Sequence, residues 1–77
     1  MMTANKLRSY DLYKTNEFDK ICNAYIFVRL DRFEQKKSMS GLVDGWICDI
    51  YRHGIRGGRF WYTNNQLNSF QKVDKNN

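Results

Sequence analysis

Proline is absent from this chain, and cysteine occurs only at positions 22 and 48. Without proline no turn is fixed covalently, and no prolyl isomerisation slows folding. Two cysteines are too few for a small secreted disulfide scaffold, which normally carries four or more. No apolar run approaches the roughly 20 residues of a membrane span, and the first residues lack the apolar stretch of a signal peptide. These absences point to a reducing cytoplasm and to no membrane partner. A further absence is local. From Ile50 to Val73 there is no Asp or Glu, while Arg52, Arg56, Arg59 and Lys72 fall within that stretch. Residues 1–49 hold eight basic and seven acidic side chains, so the formal excess of +5 lies mostly in the later stretch.

What is present suits one small folded domain, 1–77. Twelve aromatics in an apolar fraction of 42% argue against a wholly disordered chain. Each ring, once buried, removes roughly 150–250 Å² from water. A chain of this length still buries only about 60% of its unfolded surface. Stability is therefore expected to be marginal or assisted by oligomerisation, and a homodimer is one expectation. Residues 1–5 and 74–77 have little to bury and are read as frayed ends.

Along the chain, Leu7, Tyr10 and Tyr13 recur at intervals of three, which predicts a short helix over residues 5–14. Thr15 or Asn16 is placed to cap a following element, with Glu17 and Asp19 in its first turn. From Phe18 to Phe33 two readings stay open. Phe18, Cys22, Tyr25 and Ile26 share a helical face, yet Tyr25-Ile-Phe-Val28 is a dense run of β-favouring residues. Leu42, Val43, Trp46, Ile47, Ile50 and Tyr51 form a helical stripe capped by Ser40 and closed by Gly54. Gly45 weakens that helix, and a hairpin turning at Asp44-Gly45 is the competing reading. Gly57-Gly58 predicts a turn into a short strand, Arg59–Tyr62. Thr63-Asn-Asn-Gln66 matches a capping box, opening a helix with Leu67, Phe70 and Val73 on one side.

The arginines of the acid-free stretch are interleaved with Tyr51, Phe60, Trp61, Tyr62 and Phe70. Guanidinium groups beside ring faces suit polyanions, because phosphate contacts give sequence-independent affinity and rings stack on bases. The same lobe could dock on an acidic protein. Phe60 and Tyr62 point one way along a strand and Trp61 the other. Core burial is the expectation for Trp61, and exposure would make it a stacking anchor. No catalytic pattern accompanies the lobe. Cys48 and His53 lie five apart and point in different directions on a helix, so they form no dyad. His53 is read as a helix C-terminal residue, and both cysteines as small buried hydrophobes. Two cysteines and one histidine make no tetrahedral zinc site, and the glycines lack the lysine-serine or lysine-threonine ending of a phosphate loop.

The segment Gly57-Gly-Arg-Phe-Trp-Tyr-Thr-Asn-Asn-Gln-Leu67 resembles the wing and closing helix of excisionase-type and mercury-resistance-regulator-type winged helix domains. Upstream, Trp46-Ile-Cys-Asp-Ile-Tyr-Arg-His-Gly54 is similar to the end of their recognition helix. The resemblance covers roughly 30 residues within 40–73. It implies DNA binding, with that helix in the major groove and the wing arginines on phosphate or in the minor groove.

The expected fold is thus α+β: three or four short helices with a short strand or β-ribbon, winged-helix-like under the resemblance. The expected function is that of a non-enzymatic accessory or regulatory protein, without cofactor, binding nucleic acid through residues 51–62. DNA is favoured over RNA, and Arg52, Arg56, Arg59, Trp61, Tyr62 and Lys72 are the expected contacts. The competing expectation is an inhibitor or adaptor docking on an acidic partner. Small size and composition are compatible with a phage- or plasmid-borne protein.

Overall fold

In the run Tyr25–Leu30 the residues alternate in character. Ile26, Val28 and Leu30 are purely aliphatic, while Tyr25, Phe27 and Arg29 are aromatic or charged. A period of two is the signature of a strand with two unlike faces. In the computed structural model, which describes residues 7–73, the aliphatic set is buried and the other set is not. The expected frayed ends, 1–5 and 74–77, lie outside the described residues.

The element order is β1 (Leu12–Asp19), β2 (Ala24–Phe33), β3 (Lys36–Ser38), β4 (Gly41–Val43), β5 (Gly45–Arg52), β6 (Ile55–Thr63), α1 (Asn64–Asn68) and β7 (Gln71–Lys72). Five strands form an antiparallel sheet in the order β6-β5-β2-β1-β7, and β3 and β4 form a separate small hairpin. One face of the large sheet carries the core: Tyr13, Val28, Leu30, Trp46 and Cys48, closed over by Leu67 of α1. Leu7, Ile50, Tyr62 and Phe70 pack around them. The opposite face is assembled by register from Lys14 beside Phe27, Phe27 beside Tyr51, Arg29 beside Asp49, Asp49 beside Arg59, and Ile47 beside Trp61. The β3–β4 hairpin reaches the Trp61 end of this face through Lys36, and the face is called the open face below.

Three or four helices do not form; the described residues hold one helix of five residues. The expected helix at 5–14 is broken by Tyr10, whose φ of 71° is left-handed, and Tyr13 enters β1. Thr15 caps nothing. Its hydroxyl donates to the Ile26 carbonyl at 2.8 Å and accepts from the Glu17 N–H at 3.1 Å, beside an irregularity in β1. Residues 40–53, expected as a helix and as the counterpart of a recognition helix, form β4 and β5, so a winged-helix arrangement is not built. The i, i+1, i+4, i+5 spacing has a different origin here. Trp46, Cys48 and Ile50 face the core while Ile47, Asp49 and Tyr51 face away, in a strand flanked by neighbours on both sides.

The turns explain the remaining departures. His53 and Gly54, with φ of 54° and 79°, form a two-residue turn between the paired Arg52 and Ile55. Two left-handed residues in sequence match the right-handed twist of the flanking strands, which is why a glycine stands there. Neither residue caps a helix. Gly57-Gly58 is not the turn but a register shift inside β6, which begins four residues earlier than expected. The capping box does form: Thr63 Oγ1 accepts from the Gln66 N–H at 3.0 Å, and the Thr63 N–H donates to Gln66 Oε1 at 2.9 Å. The helix it starts ends at Asn68, and the chain then pairs with β1 as β7.

Candidate nucleic-acid interface

The acid-free stretch does not stay free of acids once folded. Arg52 meets Asp19 at 3.3 Å, Arg56 meets Asp49 at 3.6 Å, and Lys72 meets Asp11 at 3.5 Å. Arg59 is held twice: its Nε donates to Asp49 Oδ1 at 2.8 Å and its Nη2 to Asp31 Oδ2 at 2.6 Å. The hydrogen bond to Asp49, then the charge of Asp31, raise the Arg59 pKa further above its ordinary value. The cations of these pairs are largely in solvent, so the importance of the pairs lies in charge distribution more than in stability.

The expected contact residues are also divided by the sheet. Arg56, Arg59 and Trp61 lie on the open face with Tyr51. Arg52 and Tyr62 belong to the packed side, where they line a recess of about 480 Å³ with Ile50, Phe60 and Phe70. Burial, and then the charge of Glu17, push the Tyr62 hydroxyl pKa up. Lys72 stands on β7, at the far edge of the sheet from β6. Trp61 is half-buried, though not in the core cluster. Its indole lies over Gly45 and donates from Nε1 to the Glu34 carbonyl at 2.9 Å.

The open face recruits cations that lie outside the acid-free stretch. Lys14 Nζ sits 4.3 Å from the centre of the Tyr25 ring, the Arg29 guanidinium 5.4 Å from that of Tyr51, and Lys36 Nζ 5.0 Å from that of Trp61. None of these three cations has a carboxylate partner among the described residues. Ring faces attract cations without neutralising them, so the three positive charges remain available to an incoming anion. With Arg56, Arg59 and Arg32, which stands beside Ile47, the face carries six cations against the three carboxylates Asp31, Asp49 and Glu34. Between Leu12, Phe27, Arg29, Tyr51 and Gly54 it also holds a recess of about 330 Å³. The signal for Arg29 was present in the Tyr25–Leu30 alternation. All three rings arrive from other strands, so the alternation shows that Arg29 faces away from the core and no local signal gives any of the pairings.

The cysteines sit apart from this face. Cys48 is fully buried and its thiol donates to the Trp46 carbonyl at 3.6 Å, whereas Cys22 is only half-buried. Burial, then the charges of Asp49 and Asp31, push the Cys48 thiol up to about 12. One thiol per native chain, Cys22, is expected to react with a thiol reagent at pH 8, rising to two in denaturant. Because the folded thiol holds its proton where the unfolded one loses it, Cys48 stabilises the fold fully below pH 9. That contribution declines as pH rises towards 12, so alkaline unfolding of Cys48→Ala should depend less on pH. Fast labelling of both thiols in the native protein would contradict this placement.

Among the described residues no group of three or more His, Cys, Asp or Glu side chains is arranged to hold a metal ion, and no helix is long and apolar enough to cross a membrane. Comparison of the chain with protein-family models, with curated proteins and with solved structures found no match.

Proposed function

We propose that this is a non-enzymatic accessory or regulatory protein that binds nucleic acid on the open face of its sheet. The observation that carries the reading is the set of three cation–ring pairs, Lys14/Tyr25, Arg29/Tyr51 and Lys36/Trp61, on the side of the sheet away from the core. Phosphate contacts supply affinity without sequence preference, and adjacent rings offer surfaces for bases or sugars. Tyr51, Arg56, Arg59 and Trp61 of the originally expected lobe take part. Arg59 chiefly shields Asp31 and Asp49, to which its Nη2 and Nε already donate. Two free cysteines agree with a reducing cytoplasm as the setting.

The test is a salt titration of oligonucleotide affinity by fluorescence anisotropy. Lys14→Ala, Arg29→Ala and Lys36→Ala are each expected to weaken binding alike across sequences and to flatten the log–log salt dependence by about 0.7–0.9. Arg52→Ala, on the other side of the sheet, should leave the slope unchanged. A folded triple variant with full affinity and an unaltered slope would remove the open face from the reading. If nucleic acid binds only weakly while a pull-down recovers one acidic protein after nuclease treatment, the docking alternative replaces it.

A further inference from the structure

We infer that the open face is selective for single strands, with one unpaired base stacking in the recess between Phe27 and Tyr51. This rests on the nucleic-acid reading above and specifies the strand state. Phe27 and Tyr51 are direct cross-strand partners on β2 and β5, so their side chains stand side by side on one face. Both are half-buried, which fixes their rings and still leaves area to cover. Leu12 extends the apolar floor, and Gly54 at the hairpin turn contributes no side chain to obstruct the mouth. The space of about 330 Å³ lies at the lower end of the range for small-molecule sites. Arg29, which also lines it, carries a charge with no described carboxylate partner and can meet the adjoining phosphate.

Geometry disfavours a duplex. Strands about 4.8 Å apart make a five-stranded sheet about 19 Å across, wider than a major groove of about 12 Å. The only described helix has five residues and lies on the packed side. Bases in a duplex are stacked on each other and cannot present a π-face to Phe27 or Tyr51. An unpaired base can, and stacking of this kind tolerates any sequence.

The experiment compares ten-residue oligothymidylate and oligouridylate with an abasic ten-residue strand and a ten-base-pair duplex, all at one salt concentration. At least one of the two base-bearing single strands should bind on the order of tenfold tighter than the abasic strand, quench Tyr and Trp emission, and outcompete the duplex. Phe27→Leu and Tyr51→Leu keep apolar bulk and remove the ring. Each should lose on the order of tenfold for the base-bearing strand and nothing for the abasic one. Equal binding of abasic and base-bearing strands, or tighter binding of the duplex, would overturn stacking while leaving phosphate binding at the face intact. If wild-type protein binds none of the four, the nucleic-acid reading itself fails. The abasic comparison needs only wild-type protein, so a variant that does not fold leaves the test decisive.

Discussion

Gly45→Ala is expected to destabilise the protein by about 1–3 kcal/mol, seen as a lower denaturant midpoint with an unchanged slope. Were residues 40–53 helical, the same substitution would stabilise, because alanine outranks glycine in a helix interior. In the folded protein Gly45 is buried at the start of β5, and an added Cβ would come within 2.5 Å of the Trp61 ring and 2.6 Å of the Tyr62 carbonyl. The carbonyl belongs to a paired strand and cannot retreat cheaply. The indole could swing away only by giving up its hydrogen bond to Glu34 and its contact with Lys36. The effect therefore reaches the open face as well as the core. A gain in stability would contradict the strand at 45–52.

The second large effect is expected at Leu67. This residue is the single fully buried side chain of a helix barely more than one turn long, and it closes over Tyr13, Val28, Leu30 and Cys48. A helix that short has almost no stability of its own, so its capping box and Leu67 together hold it in place. Leu67→Ala should cost about 2–5 kcal/mol by lost burial and the cavity left behind. Leu67→Met, which nearly conserves volume, should cost less than about 1.5 kcal/mol. Urea unfolding of both variants checks the pair. Equal, small losses would mean that α1 is not the lid of the core.

What could be read from the sequence divides by the range of the interaction concerned. The capping box at 63–66 was legible because every group it uses lies within four residues. The alternation from Tyr25 to Leu30 was also local, but Phe18, Cys22, Tyr25 and Ile26 offered a competing helical spacing that left the matter open. Residues 42–51 misled for a specific reason. A strand half-buried on both faces carries apolar residues in adjacent pairs, and the polar Asp44 between Val43 and Gly45 is a strand boundary, not a helix exterior. The basic lobe was legible as a list of residues and not as a field. Asp11, Asp19, Asp31 and Asp49 are brought to those cations by sheet pairing, and separations such as the 28 residues between Asp31 and Arg59 leave no trace in a linear charge count. Only the strand order reveals which cations remain without a carboxylate.

That strand order also governs how the chain can acquire its structure. The hairpins β1–β2 and β5–β6 join neighbours in sequence, whereas β2 meets β5 across the intervening β3–β4 hairpin. Strand β1 meets β7 only when Tyr13 finds Lys72, 59 positions further on. Closing loops of that size before any contact rewards them places the domain among slow two-state folders, in the range of milliseconds to seconds. With no proline to add an isomerisation phase, that search is the whole of the delay. During synthesis β1 and β2 emerge before their outer partners: the edge of β2 stays exposed until β5 follows, and that of β1 until β7 does.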